Sequence, residues 1–218
     1  MSGDKLESIL EAHRKYLDGE DGGSCADLSH ANLSFANLRG ADLRNADLIG
    51  ANLMDAKLKN ADLRNANLRC ANLSFTDLIG ANLMDANLMD ANLMMAVNID
   101  KILWDSCTEF YPMQCPEEGS FIGWKKAHNK IVKLEICADA LRSSATSRKC
   151  RCSSAKVLAI ENIDGSKYGD VIASNYDPIF LYKVGEIVKV ENFDTNRWNE
   201  CAPGIHFFLT KEEAVKYC

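Results

Sequence analysis

Leucine recurs at every fifth position from Leu28 to Leu93, fourteen times without a gap. Alanine stands two places before each of these leucines except at Thr76, and Asn or Asp stands directly before each except at Lys57. A helix brings every third or fourth residue to one face and a strand every second residue, so neither would align these leucines. The pattern therefore predicts a repeat of five-residue units, here called pentads, over residues 26–98, with one inward leucine in each.

The motif Ala-(Asn/Asp)-Leu-x-x resembles the repeat of the pentapeptide-repeat family. That resemblance implies a right-handed quadrilateral β-helix, in which each pentad forms one side and four pentads form one turn. The residue types agree, because leucine would fill the centre and alanine would fit beside it. Asn and Asp would satisfy backbone groups at the corners. Fourteen pentads would form a stack about 17 Å tall at ~4.8 Å per layer.

The segments that flank the pentads are predicted to cover the exposed edges of this stack, which would otherwise invite pairing with other chains. Residues 1–25 form a predicted capping helix with Asp4 as its N-cap and Gly22-Gly23 as its end. His13 lies on the apolar side of that helix, where packing explains it better than catalysis does. Residues 99–117 are predicted to be a C-terminal cap and linker, with Trp104, Phe110 and Tyr111 as the covering side chains.

Residues 118–218 are predicted to form a separate domain, because 14 of the 17 aromatic residues lie after residue 95. Alternating apolar residues predict strands, and Thr210 with Glu213 predicts a capping box for a short final helix. The whole chain is thus predicted to be mainly β, with a small α+β domain at its end. Three segments of this domain resemble an uncharacterised domain that follows pentapeptide repeats in bacterial and phage proteins, which implies such an origin and no particular activity: residues 121–126, 140–151 and 196–217.

Charge and composition narrow the function further. The formal net charge is −6, and no segment has the excess of Lys and Arg that nucleic-acid binding requires. The N-terminus has no leader pattern, and no apolar run reaches the ~20 residues of a membrane span. We therefore expect a soluble cytoplasmic protein without direct nucleic-acid or membrane contacts. The nine cysteines are scattered and odd in number, which predicts reduced thiols.

The segment from Arg142 to Arg151 places four basic residues among three serines and a threonine. Such a segment can bind a phosphate through charge-assisted hydrogen bonds, with a solvated basic loop as the alternative. If it binds an anion, the three arginines should converge on one spot, with Trp124 or Trp198 as a wall. The predicted ligand-binding residues are Arg142, Ser143, Thr146, Arg148, Arg151, Trp198 and His206.

Two other groups of residues have a possible chemical role and a structural alternative. Cys201 and His206 suggest a nucleophile and a base, but a structural histidine fits an extended strand better. Cys150 and Cys152, with the same cysteine and histidine, suggest zinc, although one intervening residue is fewer than the usual two to four. We predict no catalytic residue, no metal and no cofactor.

The predicted function is a non-catalytic scaffold or protein-interaction protein, with another protein as its partner. Its predicted interaction surface is the most apolar side of the stack, with Phe35, Met54, Phe75 and Met94. As an alternative, the C-terminal domain binds or acts on a nucleotide or another anionic small molecule. A third alternative is a DNA mimic that inhibits a topoisomerase, as some pentapeptide-repeat proteins do, but the short stack and its surface arginines weigh against it.

Overall fold

The computed structural model describes residues 1–217; Cys218, the last cysteine, lies outside the described residues. The chain divides into two compact units, Met1–Pro112 and the part that begins at Met113. It is mainly β, with a short helix at its N-terminus. Within residues 1–217, none of the helices combines the length and the apolar character that crossing a bilayer requires.

The pentads pair with one another at an interval of four pentads. Residues twenty positions apart form parallel bridges, beginning with Asp27 and Asp47 and continuing to Asn72 and Asn92. All fourteen leucines are at most 2% exposed, which confirms that each points inward. The small residue two places earlier is buried as well in every pentad between Ala46 and Ala91. The core of this unit is therefore built from leucine and alanine instead of aromatic rings.

Each pentad ends in a tight turn, and its geometry explains the Asn and Asp positions. The residue two places after each leucine has a positive φ, between 54° and 68°. The next N–H donates to the carbonyl of that leucine, three residues earlier. In twelve of the fourteen pentads, the Asn or Asp Oδ1 accepts the N–H of the residue two places on. This Asx turn confirms the predicted role of Asn and Asp as acceptors at the turns.

The stacked pairing continues beyond the last leucine, into residues predicted to be only a cap and linker. Val97, Leu103 and Glu109 form parallel bridges at offsets of 20, 21 and 22 residues. The offsets of 21 and 22 residues break the five-residue period, so the sequence pattern ends before the pairing does. Residues 26–109 are called the repeat stack below. Near its end the rings of Trp104 and Tyr111 lie 4.9 Å apart, and the Tyr111 hydroxyl donates to Ile99 O at 3.1 Å. Tyr111 is buried there, whereas Trp104 is 48% exposed, so the predicted cover stays a prediction.

Helix α1, Gly3–Asp18, contacts the first pentads. Its N-cap is Ser2 and not Asp4, since the Ser2 hydroxyl accepts the Lys5 N–H at 3.4 Å. The helix ends at Gly19, whose φ of 70° gives the left-handed cap; the prediction that Gly22-Gly23 ends it was wrong. His13 is fully buried, and its Nδ1 accepts the Ala26 N–H at 3.0 Å. The N-terminal helix is therefore tied to the start of the repeat stack.

The second unit contains nine short strands and one helix among its described residues. In chain order they are β1 Phe121–Ala127, β2 Lys130–Ile136, β3 Arg142–Ser144, β4 Cys150–Cys152, β5 Ser154–Asn162, β6 Val171–Ala173, β7 Leu181–Lys183, β8 Ile187–Lys189, β9 Ile205–Phe207 and α2 Lys211–Lys216. They form three sheets, β1-β2-β5-β8, β3-β4-β9 and β6-β7, with antiparallel pairs throughout. The predicted capping box is confirmed, because Thr210 and Glu213 bond reciprocally at the start of α2.

The basic segment from Arg142 to Arg151 is not a loop. Its two ends are β3 and β4, which pair antiparallel and place β4 between β3 and β9. Cys150 and Cys152 face the core with Phe207 and Ile205, and all four side chains are at most 1% exposed. The high content of Arg, Lys and Ser obscures these two three-residue strands in the sequence.

Candidate functional site

A cavity of about 840 Å³ lies in the second unit. Its lining combines aromatic rings with positive charge, since among residues 1–217 it includes four lysines and two carboxylates. Two histidines, His128 and His206, also line this cavity. The aromatic residues are Tyr176, Phe180, Tyr182, Phe208 and Tyr217; the lysines are Lys125, Lys126, Lys149 and Lys189; the acids are Asp177 and Glu191.

Lys125 enters this cavity from a core-facing position of β1. It shares the buried face of the strand with Gly123 and Ala127 and is itself 8% exposed. Its Nζ donates to His206 O at 3.4 Å and lies 5.8 Å from the centre of the Tyr182 ring. Burial, with a smaller contribution from the Lys149 charge, lowers the pKa of Lys125 from 10.5 to about 8.

His206 lies on β9, directly opposite Arg151 of β4. Its Nε2 lies 3.0 Å from Glu200 O, and because a carbonyl only accepts, Nε2 carries the ring proton. Burial and the charges on Lys125 and Lys149 lower the pKa of His206 to about 4. The ring is therefore neutral at neutral pH and leaves the positive charge of the cavity to the lysines.

Lys149 lies in the turn that joins β3 to β4. Its side chain is 13% exposed, and its Nζ lies 3.9 Å from Glu200 Oε2 and 5.8 Å from the centre of the Tyr217 ring. A 3.9 Å separation is a loose ion pair, so the ammonium keeps donor capacity for another acceptor. Lys126 is more firmly held, because its Nζ donates to Tyr217 O at 2.7 Å and to Val215 O at 3.2 Å.

The three arginines of the predicted anion site do not converge. Arg142 donates to main-chain carbonyls, including Pro116 O and Cys137 O at 2.9 Å. Arg148 Nε donates to Glu213 Oε1 of α2 at 2.7 Å. Arg151 is 2% exposed and donates to the carbonyls of Asp194, Asn196 and Pro203 and to the Ser143 hydroxyl. Each guanidinium therefore stabilises a different loop or helix end.

The remaining predicted ligand residues are distributed as follows. Ser143 and Thr146 are 1% exposed, and neither lines the cavity. Trp198 lies over the Arg197 guanidinium at 4.4 Å, and Trp124 lies 5.5 Å from Lys133 Nζ, so neither forms the wall predicted for them. Of the predicted set, only His206 lines the cavity, together with Cys201 from the weighed alternative.

The cysteines and acids do not form the zinc arrangement that the sequence suggested. Cys150 and Cys152 of β4 lie opposite Phe207 and Ile205 of β9, so their side chains are on the face of this sheet that His206 does not share. Among residues 1–217, the only grouping with metal-ligand spacing is Asp85, Asp105 and Cys107, within 4.8 Å of one another. Asp105 Oδ1 already accepts the N–H groups of Asp85 and Cys107 and the Thr108 hydroxyl. This grouping is thus a hydrogen-bonded turn.

The predicted apolar surface of the repeat stack has a distinct backbone feature. Phe35 and Phe75 have φ values of 61° and 60°, which bulky side chains rarely adopt. They are 71% and 45% exposed, and Met94 is 39% exposed, while Met54 is partly buried. The Phe35 N–H donates to Met54 O and the Phe75 N–H to Met94 O, which places each phenylalanine beside a methionine of the next layer.

Reading the sequence alone missed the lysines of the cavity. One signal was present, because Gly123, Lys125 and Ala127 alternate along β1 and put a lysine between two small inward residues, but the predicted strand ended at Trp124. Tyr176 and Phe180 come from a segment without a clear sequence pattern, whereas Tyr182 lies in a strand that the sequence predicts over residues 181–184. Only the fold brings that segment to β1 and β9.

Comparison with known proteins identifies both units. Residues 26–65 and 66–93 match the pentapeptide repeats, in eight copies, and residues 111–214 match a family of unknown function, DUF5758. An uncharacterised protein of Acanthamoeba polyphaga mimivirus is 38% identical over 96 residues, which cover 40% of this chain and 61% of the viral protein. The chain thus spans less than two thirds of the length of this relative.

Solved pentapeptide-repeat proteins are similar to part of the chain. One from the thylakoid lumen of Arabidopsis thaliana is 38% identical, with 32% of this chain and 48% of that chain covered and a TM-score of 0.32. One from the cyanobacterium Cyanothece 51142 is 36% identical, with coverages of 37% and 62% and a TM-score of 0.23. One from Nostoc PCC 7120 is 31% identical, with coverages of 46% and 86% and a TM-score of 0.25. The leucine period and the two matched family models, and not these partial structural similarities, show that the chain belongs to the pentapeptide-repeat proteins and carries a C-terminal DUF5758 domain.

Proposed function

We propose that this protein is a non-catalytic binding protein, in which the repeat stack is a rigid scaffold and the C-terminal domain holds an anionic small molecule. The twenty-residue pairing interval supports a right-handed, four-sided β-helix as the form of the scaffold. Leucine and alanine fill that interior, which supports a structural role for this unit.

The cavity is the observation that carries the ligand proposal. Clefts for small molecules are largely apolar, with a few placed polar groups. Here five aromatic residues supply the apolar wall and four lysines the polar groups. Lysine ammonium groups form charge-assisted hydrogen bonds with phosphate or carboxylate oxygens, and the rings can stack on a base or another flat group. A nucleotide or another aromatic phosphate fits this combination better than an uncharged ligand does.

Calorimetric titration of the full chain with pyrophosphate, adenosine monophosphate and uncharged adenosine tests this proposal. The two anions should bind more tightly than adenosine. Lys149→Ala should weaken anion binding about tenfold or more, because a hydrogen bond between charged groups contributes ~1.5–3 kcal/mol. Lys156→Ala is the matched control, since Lys156 is exposed on β5 and lies outside the cavity lining. The absence of binding by either anion, even at millimolar concentration, would contradict the proposal.

A second candidate function is protein binding by the apolar surface of the repeat stack. Phe35 and Phe75 combine exposure with an unfavourable backbone conformation, and both properties weigh against a purely structural role. Asn is suited to this position, because it already occupies it at Asn45, Asn60 and Asn65. The double substitution Phe35→Asn and Phe75→Asn should preserve the fold and abolish binding to a partner identified by crosslinking. Unchanged affinity for that purified partner would exclude this surface.

A further inference from the structure

We infer that Lys125 is a nucleophilic lysine that forms a reversible imine with the carbonyl carbon of a small aldehyde or ketone bound in the cavity. The imine rests on the position of Lys125 alone. Only the anionic character of the carbonyl compound rests on the proposed function.

The first support is the placement of the amine. Lys125 lies on the core-facing side of a strand, where an aliphatic residue is usual, yet its side chain lines a cavity large enough for a ligand. Within residues 1–217, none of the ion pairs includes Lys125. Its hydrogen bond to His206 O is long, at 3.4 Å. A buried lysine held for structure is ordinarily paired, and Lys126 beside it illustrates a firmer contact, since its Nζ donates to Tyr217 O at 2.7 Å.

The second support is the protonation state of the amine. Among the described residues, the groups that face Lys125 are Lys149, Cys152, Tyr182 and His206, and none of these four is a carboxylate. Burial raises the pKa values of Cys152 and Tyr182, so both are neutral at neutral pH, as is His206. With a pKa of about 8, roughly 10% of the Lys125 amine is unprotonated at pH 7, against roughly 0.03% for an ordinary lysine. Desolvation of this kind activates lysine nucleophiles.

The chemistry balances without a redox partner. The Nζ lone pair adds to the carbonyl carbon, and the carbonyl π electrons move to oxygen, which takes up a proton. The carbinolamine then loses one water, whose two hydrogens derive from the original amine, and a C=N bond remains. Hydrolysis reverses the sequence and returns the carbonyl compound. The step therefore captures a ligand covalently and reversibly, and it is compatible with a protein that only binds.

Reductive trapping tests this inference on the full chain. The probe is pyridoxal phosphate, an aromatic aldehyde with a phosphate, at less than one equivalent, and sodium borohydride supplies the hydride that reduces any imine to a stable amine. Peptide mapping by mass spectrometry should place the adduct on Lys125, at a rate about one to two orders of magnitude above that of exposed lysines, because of the larger unprotonated fraction. Lys125→Arg should abolish this adduct, and Lys156→Arg should retain it.

Two further probes separate the inference from the proposed function. Pyridoxal keeps the aldehyde and lacks the phosphate, whereas pyridoxine phosphate keeps the phosphate and lacks the aldehyde. If pyridoxal labels Lys125 as fast as pyridoxal phosphate does, the imine stands and anion binding is refuted. If pyridoxine phosphate binds but labelling spreads evenly over surface lysines, anion binding stands and the imine is refuted. Peptide mapping of the wild-type protein tests the imine even if Lys125→Arg folds poorly.

Discussion

Some single residues in this protein lie in environments that lower the stability of the fold, and Lys125 is the clearest case. The residue is 8% exposed and takes part in none of the ion pairs of residues 1–217, so its ammonium is buried at a desolvation cost. The same argument applies to Phe35 and Phe75 on the surface of the repeat stack. Their positive φ is unfavourable for a bulky side chain, whereas Gly40, Gly50 and Gly80 adopt it at the same pentad position without strain. Positions of this kind are the ones at which function is worth testing.

Lys125→Met should therefore stabilise the second unit. A pKa lowered from 10.5 to about 8 corresponds to about 3 kcal/mol of destabilisation at pH 7, as an upper bound, at ~1.4 kcal/mol per unit. Because the pKa of Lys125 is lower in the folded state, the full destabilisation is present below pH 8. It decreases as the pH rises toward 10.5. Urea unfolding should show a gain for Lys125→Met at pH 7 that shrinks by pH 10. A stability below wild type at pH 7 would mean that the ammonium is paired after all.

His13 should make the first unit sensitive to acid. Burial lowers the pKa of His13 below 6.5, and its Nδ1 must stay unprotonated to accept the Ala26 N–H. Because the folded pKa is depressed, this stability is complete above pH 6.5 and is lost as the pH falls below that value. His13→Asn offers an acceptor at the same place and does not titrate. In urea unfolding between pH 7 and pH 5, it should therefore lose less stability than wild type, and an equal loss in both would exclude His13 as the cause.

At the scale of elements, local rules predicted the pentads and the capping box of α2 but not the cavity. Each pentad is specified within five residues by a small residue, an Asx acceptor, a leucine and a turn, so one sequence period is enough. Strands β3 and β4 are only three residues long. The guanidinium groups of Arg142 and Arg151 donate to main-chain carbonyls that lie far away in the sequence. Hydrogen bonds between residues so far apart in the sequence leave no local sequence pattern. In the sequence, Arg142 and Arg151 therefore resemble part of an anion-binding site.

The repeat stack should depend on each inward leucine and tolerate change at the turns. Leu63→Asp places a carboxylate at a position with 0% exposure, where an unpaired charge is strongly unfavourable. It should abolish the cooperative thermal transition of the first unit. Asn65→Asp is the matched control, because the same residue type already stands at that turn position in Asp55, Asp85 and Asp90. A Leu63→Asp protein that melts like Asn65→Asp in calorimetry would refute the packing of the stack.

At the scale of the whole molecule, the remaining question is whether the chain imitates duplex DNA, and we predict that it does not. Bridged positions from Asp27 to Glu109 form five layers, a height of about 19 Å at ~4.8 Å per layer. That height matches only about six base-pair steps at ~3.4 Å each. Acidic residues on its surface are partly neutralised, because Asp42 pairs with Arg44 at 2.7 Å and Asp62 with Arg64 at 2.6 Å.

A gyrase supercoiling assay is the corresponding measurement. Micromolar full-length protein should leave the rate of supercoiling unchanged, since a short stack with paired charges offers no continuous line of acidic groups to compete with DNA. A chain truncated after residue 112, where the first compact unit ends, separates the two units. Inhibition by the truncated chain would establish mimicry by the repeat stack. Inhibition by the full chain alone would place that activity in the DUF5758 domain, and the Lys149→Ala variant would then show whether the cationic cavity takes part.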